Sequence, residues 1–265
     1  MPRSTHFLFA LGARLAGLCL LTIGLLTARP LQAAETGAEL QWLGGDLPPF
    51  VWREQGRAQG YAVELLNALD RKMGRHSTLS FYPWARAVQM AEAGPAYGIF
   101  PLTRSAEREG RFNWLIPLGQ VRHVFLARTD PSAKAPTERT RPLEELREAQ
   151  VGLLRGSSPI ITMLRSKGFT HIYEATDYQE LLRLLSQHMI DYVYGGEPML
   201  RASLASSPYS AGDFQFVAAL GDATVYMGAS AAVSAAEAQK WQQAYEALSK
   251  EGEVARLKEK YRLQP

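Results

Sequence analysis

The sequence predicts an α/β fold built mostly from parallel strands. From about residue 40 onward, short apolar runs bounded by Gly, Pro and polar residues alternate with segments whose apolar residues recur at helical spacing. Strands that alternate with helices along the whole chain are typical of sheets with mostly parallel strands. The sequence contains no internal repeat and no heptad array, which makes a solenoid or a coiled coil a poor match.

Residues 1–34 are predicted to be a signal peptide. Arg3 and Arg14 supply its positive charge, residues 15–27 form its apolar core, and residues 31–34 offer small residues for cleavage. The apolar core is shorter than a membrane span, which needs about 20 residues. The single cysteine, Cys19, lies inside this segment. We therefore expect a soluble, exported protein without a disulfide or a thiol nucleophile.

The charge of the chain depends on this segment. The whole sequence has 29 Lys and Arg residues and 26 Asp and Glu residues, and residues 1–34 contain three arginines and no acid. The remaining residues, about 231, therefore carry 26 basic and 26 acidic residues and no net charge. This balance gives no indication of a nucleic-acid surface. The length is sufficient for two modest lobes with their own cores.

The first elements follow from periodicity and from helix-ending residues. A helix is predicted at Tyr61–Met73, where apolar residues lie at helical spacing and Gly74 follows. A second helix is predicted at Trp84–Ala93, between Pro83 and Gly94. Strands are predicted at the short apolar runs 40–43, 51–53, 79–82 and 97–100.

The rest of the chain continues this alternation. Residues 112–117 are predicted to be an aromatic-rich loop, and residues 130–141 a polar surface excursion. Further strands are predicted at 121–128, 150–154, 171–173, 190–194, 214–219 and 224–228. Further helices are predicted at 143–148, 160–167, 178–187, 197–204, 235–249 and 254–261.

The stretch 101–108 is the strongest candidate for a binding site. A strand that ends in Thr103 and runs into a helix start would bring hydroxyls, backbone N–H groups and the Arg108 guanidinium together. These groups suit a carboxylate or another small anion. The alternative is an ordinary turn in which Ser105 caps the helix and Arg108 lies in solvent. A second hydroxyl-rich turn, at 156–158, follows the strand at 150–154.

In their order and spacing, these patterns resemble the periplasmic solute-binding proteins of the family that serves polar amino acid transporters. The matching pieces are residues 47–50, 60–65, 102–108, 151–158, 189–192 and 251–261. The resemblance implies a two-lobed periplasmic-binding-protein fold with a two-strand hinge near 124–128 and 224–228. Lobe 1 would comprise 35–125 and 225–265, and lobe 2 would comprise 126–224.

The resemblance also implies a ligand site in the cleft between the lobes. Arg108 corresponds to the arginine that holds the ligand carboxylate, and Arg104 is a less suitable substitute. Four further positions correspond to hydroxyl, carbonyl or N–H groups beside that carboxylate: Pro101, Thr103, Ser157 and Ser158.

Two further candidates have plain structural alternatives. Trp84 lies one residue beyond a family position that often stacks on the ligand, but an aromatic ring in a first helical turn is also often core. Asp46 could face the cleft or could only cap its turn. We assign Trp42, Trp52 and Trp241 to packing.

The sequence departs from the family at the position that pairs the ligand ammonium. Family members that bind α-amino acids usually carry an Asp five residues after the position of Asp191, and this chain has Gly196 there. The nearest carboxylate is Glu197. We therefore expect standard α-amino acids to bind poorly unless Glu197 substitutes, and a carboxylate without that ammonium to bind better.

These points predict a monomeric binding protein that serves an ABC permease in the periplasm and uses no metal or cofactor. The alternatives are an exported enzyme on the same fold, resembling a cyclohexadienyl or prephenate dehydratase, and a stand-alone sensor module. An enzyme would need a placed acid or base, for which Glu197 and Asp46 are candidates. The histidines His123, His171 and His188 have no spacing typical of a metal site or a triad.

Overall fold

The computed structural model describes residues 40–129 and 141–263. The predicted signal peptide and nearly all of the predicted surface excursion lie outside these residues. Helices in the described part are α1 Tyr61–Met73, α2 Trp84–Ala93, α3 Leu143–Leu146, α4 Ser158–Ser166, α5 Tyr178–Ser186, α6 Glu197–Ala205, α7 Ala235–Lys250 and α8 Glu253–Lys260. Single turns of 3-10 helix lie at Ala106–Arg108 and Ala211–Asp213.

The strands pair into one large sheet and a small hairpin. They are β1 Gln41–Gly44, β2 Trp52–Glu54, β3 Arg57–Gln59, β4 Thr78–Phe81, β5 Tyr97–Thr103, β6 Phe112–Arg128, β7 Val151–Leu154, β8 Ile172–Ala175, β9 Tyr192–Gly196 and β10 Phe214–Ser230. The eight-stranded sheet has the order β4-β1-β5-β10-β6-β9-β7-β8, and β2 pairs with β3.

The strand directions divide this sheet into two parallel groups with a shared antiparallel centre. Strands β4, β1 and β5 are parallel to one another, as are β9, β7 and β8. The pairings β5–β10, β10–β6 and β6–β9 are antiparallel. The two groups belong to two lobes, which the long strands β6 and β10 connect. The predicted two-lobed α/β class is confirmed.

The connecting strands change partners between the lobes. Each is 17 residues long, and they pair with each other along their length. In β6, only His123 to Leu126 also pair with β9. In β10, only Val225 to Ala229 also pair with β5, and Val225 lies opposite Thr103. The lobe boundaries given above stay predictions.

The prediction of a loop at residues 112–117 is wrong, because these residues are the beginning of β6. Phe112, Leu115 and Ile116 are buried, and the Asn113 side-chain amide donates to the carbonyl of Val233 at 2.9 Å. These residues form a strand because they pair with β10, which lies far along the chain. Similarly, the two strands predicted at 214–219 and 224–228 are one strand with a register shift between Ala219 and Asp222.

Aromatic residues fill the core of the first lobe. Trp42 is completely buried, and its ring lies 5.4 Å from that of Phe100 and 5.1 Å from that of Trp241. A Cβ atom at Gly98 would lie 2.4 Å from the Trp42 ring, so this strand position requires glycine. The predicted packing roles of Trp42 and Trp241 are confirmed.

Candidate ligand-binding cleft

A small pocket of ≈ 40 Å³ lies where the turn after β5 meets the turn before α4. We name it the Arg108 pocket. Five of the predicted site residues line it: Trp84, Pro101, Thr103, Arg108 and Ser157. Residues without a predicted binding role complete the wall, among them His123, Tyr178 and Met199, together with Gly196.

Arg108 is a buried residue at the end of the 3-10 turn that follows β5. Only 4% of its surface is exposed, and its guanidinium donates to the Thr103 carbonyl at 3.1 Å and to the Gly156 carbonyl at 3.0 Å. The alternative with Arg108 in solvent is therefore wrong. The helix start expected there is only one 3-10 turn, and the side chain of Ser105 makes no capping hydrogen bond.

Burial makes Arg108 an unusual cation. Loss of water around the guanidinium lowers the pKa of Arg108 to about 10, so the side chain stays charged at neutral pH. Within the described residues, its hydrogen bonds go to two backbone carbonyls and to no carboxylate. A guanidinium has five N–H donors. Some of these donors therefore remain available to an anion that enters the pocket.

Gly156 allows the second lobe to approach this arginine closely. It has φ of +87°, and a Cβ atom there would lie 2.7 Å from Cα of Ala85 at the start of α2. Any other residue would thus be strained and would collide with backbone. The bond from Arg108 to the Gly156 carbonyl depends on this approach.

The two serines after Gly156 have different positions. Ser157 is 9% exposed and lines the Arg108 pocket. Ser158 is exposed, and its hydroxyl donates to the Glu107 carboxylate at 2.7 Å, which Thr162 also contacts at 3.3 Å. Ser158 therefore links the two lobes outside the pocket.

Trp84 and Asp46 meet at a neighbouring cavity of ≈ 380 Å³, which we name the Asp46 cavity. Trp84 is 7% exposed and lines both this cavity and the Arg108 pocket, so it is both a packed residue and a wall. The Asp46 carboxylate accepts a hydrogen bond from the backbone N–H of Arg53 at 2.9 Å while lining the Asp46 cavity. Asp177 contributes a second carboxylate to the lining.

Glu197 lies away from the Arg108 pocket. As the first residue of α6, it accepts hydrogen bonds from Nε and Nη2 of Arg201 at 2.8 and 2.6 Å. The Arg201 guanidinium in turn lies 4.6 Å from the centre of the Phe216 ring. Glu197 is thus half-buried and engaged with a residue of its own helix.

Gly196 does line the pocket, but other side chains occupy the space beside it. A Cβ atom at Gly196 would lie 2.5 Å from Cε of Met199 and 2.7 Å from Cγ1 of Val121. An Asp at this position would require both side chains to shift, and the flexible end of Met199 can do so more readily than Val121. The chain therefore has apolar atoms beside the position at which the resemblance implied an ammonium-binding Asp.

His123 is a residue that the sequence analysis left unassigned. It is 4% exposed, and its ring lies stacked against Tyr194 with centres 5.8 Å apart. Burial lowers the pKa of His123, which the Val121 carbonyl and Asp222 only partly oppose. Burial also raises the pKa of Tyr178 to about 12. The signal that could have identified His123 was a lone histidine within the apolar strand predicted at 121–128.

Beyond His123 the pocket adjoins a larger cavity of ≈ 420 Å³, which we name the apolar cavity. It shares four lining residues with the Arg108 pocket: Thr103, His123, Pro159 and Ile160.

Within residues 40–129 and 141–263, no group of three His, Cys, Asp or Glu side chains is placed to hold a metal ion. In the same residues no helix is long and apolar enough to cross a membrane.

The two-lobed α/β fold and the buried arginine where the lobes meet agree with the resemblance to solute-binding proteins found in the sequence. A sequence model of one such family, the bacterial extracellular solute-binding proteins, family 3, matches residues 43–264. The chain belongs to this family. A search of curated protein sequences found no match.

Solved structures with the same fold include proteins of different roles. An ancestral arginine-binding protein bound to arginine has a TM-score of 0.71 at 16% identity, over 85% of this chain and 99% of that chain. The arginine-, lysine-, histidine-binding protein ArtJ from Geobacillus stearothermophilus has a TM-score of 0.71 at 15% identity, over 84% and 95%. A histidine kinase sensor domain with similarity to periplasmic binding proteins has a TM-score of 0.71 at 22% identity, over 85% and 98%.

Proposed function

We propose that this protein captures a small carboxylate-bearing solute in the cleft between its lobes. The observation that carries the proposal is Arg108, a cation that is 4% exposed and whose hydrogen bonds in the described residues go to carbonyls alone. A buried charge is costly without a counter-ion. The carboxylates of Glu107 and Glu92 favour the charged form of Arg108 without hydrogen-bonding to it. A ligand carboxylate would add a counter-charge in direct contact and would accept the remaining donors in a bidentate arrangement.

The other pocket residues would contact the same ligand from both lobes. Thr103 lies at the end of β5 in the first lobe, and Ser157 precedes α4 in the second. Trp84 supplies an aromatic wall. A ligand held by all three would favour the closed arrangement of the lobes, because it can contact both only when they are close.

The α-ammonium of a standard amino acid has no suitable partner at the family's position. Gly196 has no carboxylate, Met199 fills the adjacent space, and Glu197 is held by Arg201. A buried ammonium without a partner costs several kcal/mol. We therefore expect the solute to be a carboxylate without an α-ammonium, and standard amino acids to bind weakly.

The proposed role is binding for an ABC importer in the periplasm, by a monomer without metal or cofactor. The acid and base candidates support binding rather than catalysis, because Glu197 pairs with Arg201 and Asp46 accepts the Arg53 N–H. Neither carboxylate lines the Arg108 pocket. The described residues therefore favour binding over a dehydratase-like activity, and the sensor alternative rests on shared fold alone.

A thermal-shift screen followed by calorimetry tests this function. Carboxylates, amino acids and amines are screened with the wild-type protein and with Arg108→Ala and Arg108→Lys. We expect carboxylates to raise the melting temperature of the wild type by mass action. Loss of a charge-assisted hydrogen bond, worth about 1.5–3 kcal/mol, should weaken binding at least roughly tenfold in Arg108→Ala.

Arg111→Ala is the matched control, because Arg111 lies in the same turn but is exposed and pairs with Glu92. It should bind as the wild type does. Arg108→Ala is also expected to lower the melting temperature without ligand, since it removes two buried hydrogen bonds, and Arg108→Lys tests whether charge alone suffices. An unchanged dissociation constant in both Arg108 variants would contradict the proposal.

A further inference from the structure

The Arg108 pocket is too small for a whole solute. A cavity needs about 10–15 Å³ to hold one water-sized atom, so ≈ 40 Å³ holds about three, which is the size of a carboxylate group. The rest of a bound solute must extend into a neighbouring cavity. The Asp46 cavity and the apolar cavity both adjoin the pocket.

The apolar cavity has walls that suit a hydrocarbon chain or ring. Ile160 and Met163 of α4 line it from one element, and Leu220 and Ala223 line it from β10. Tyr194 also lines it, and the Tyr194 hydroxyl donates to the Leu220 carbonyl at 2.6 Å. Its volume of ≈ 420 Å³ is within the range of small-molecule sites, roughly 300–1,000 Å³.

The Asp46 cavity is the less suitable of the two for such a group. It is lined by the charged residues Asp46, Arg53 and Asp177. An apolar group there would displace water from these polar groups without replacing their hydrogen bonds. In the apolar cavity, by contrast, the charged residues Arg104, Lys167 and Asp222 are exposed, and Arg104 already pairs with Glu109 at 2.7 Å.

We propose that the solute is an extended monocarboxylate whose apolar body, an alkyl chain or an aryl ring, occupies the apolar cavity while Arg108 holds its carboxylate. This inference rests on the proposed function and adds the class of solute. Ser105, whose hydroxyl is buried without a hydrogen-bond partner in the described residues, also lines this cavity.

The test is a calorimetric series of straight-chain carboxylates from butyrate to octanoate. Each additional methylene that enters an apolar site should lower the dissociation constant roughly fourfold. We expect octanoate to bind at least about tenfold more tightly than butyrate, and Arg108→Ala to weaken both.

Two variants locate the body of the solute. Met163→Gln adds polarity to the cavity wall and should reduce the preference for octanoate at least about threefold, while butyrate binding stays unchanged. Ala223→Phe should fill the cavity and exclude octanoate while sparing butyrate. Met189→Gln is the matched control, because Met189 is 60% exposed and lies outside the cavity.

The outcomes separate the two proposals. Equal dissociation constants for butyrate and octanoate, both weakened by Arg108→Ala, would overturn the inference and leave the proposed function intact. An octanoate preference that survives both Met163→Gln and Ala223→Phe would also overturn it. If no carboxylate binds in an Arg108-dependent way, the proposed function fails, and the inference fails with it.

Discussion

At the scale of single residues, the cleft combines Arg108, which remains charged at neutral pH, with His123, whose imidazole burial keeps neutral. Arg108 and His123 line the same pocket, and burial lowers the pKa of each. For Arg108 the shifted value of about 10 is still well above neutral pH. For His123, however, the ordinary value is 6.5, so the lowered pKa affects stability near physiological pH.

We predict that His123 makes the protein less stable in mild acid. Because its pKa is lower in the folded state, the unfolded chain binds the proton more readily, and the free energy of unfolding falls as the pH falls below about 6.5. In His123→Phe this contribution disappears, while the aromatic contact with Tyr194 is kept. Urea unfolding at pH 8 and pH 5.5 should therefore show a smaller loss of stability in the variant.

His171→Phe serves as the control for this measurement, because His171 is exposed. Its loss of stability between the two pH values should equal that of the wild type. If His123→Phe and the wild type lose the same free energy between pH 8 and pH 5.5, His123 is not the buried neutral group described above.

At the scale of elements, helix α7 is tied to the end of α1 through one acidic side chain. Glu237, in the first turn of α7, is 7% exposed and binds the Arg75 guanidinium, which follows the Gly74 cap of α1. It also accepts the indole N–H of Trp241 at 3.0 Å. The hydrogen bonds from Arg75 and Trp241 hold the pKa of Glu237 below its ordinary value, against the opposing effect of burial.

We predict that Glu237→Gln destabilises the protein by about 1–3 kcal/mol, because it leaves buried donors with a weaker acceptor. For a chain of this size, each kcal/mol corresponds to about 2–4 °C in melting temperature. Scanning calorimetry would measure the change. Glu246→Gln, on the exposed side of the same helix, should leave the melting temperature unchanged. A Glu237→Gln variant as stable as Glu246→Gln would exclude this link.

Local patterns were sufficient for most elements but not for those that depend on distant partners. Helices α1 and α2 have the predicted bounds because amphipathic spacing and the residues Gly74 and Gly94 are local signals. Residues 112–117 and the shift between Ala219 and Asp222 were missed, because the long β6–β10 pairing determines both. That pairing joins residues as distant as Phe112 and Ser230, which no short window of sequence contains.

The same distinction applies to the site. The turn that carries Thr103 and Arg108 was predicted from its own residues, and the structure places both in one pocket with Ser157. The burial of Arg108 could not be predicted, since it depends on the approach of Gly156 from the other lobe. Likewise, Met199 enters the pocket from α6 and fills the space beside Gly196 by tertiary packing.

At the scale of the whole molecule, the lobes meet through contacts that ligand would strengthen. Arg108 donates to the Gly156 carbonyl, and Ser158 donates to Glu107. We predict that a bound carboxylate makes the protein more compact in solution, because it adds contacts to both lobes while β6 and β10 bend. Small-angle scattering at saturating octanoate should show a smaller radius of gyration than without it.

Arg108→Ala at the same octanoate concentration provides the reference, and its scattering should not change. Identical curves for the wild type with and without octanoate, at a concentration that calorimetry shows to be saturating, would indicate a fixed cleft.

The path of β10 also has a consequence for the order in which a newly made chain can fold. Strand β5 ends at residue 103, and the strand that pairs with its free edge begins only at residue 214. Until β10 has been synthesised, the N–H and C=O groups along that edge lack their sheet partner. Pairings between such distant segments also form slowly, because a long loop must close first. The lobe that the ribosome makes first is therefore the last to be completed.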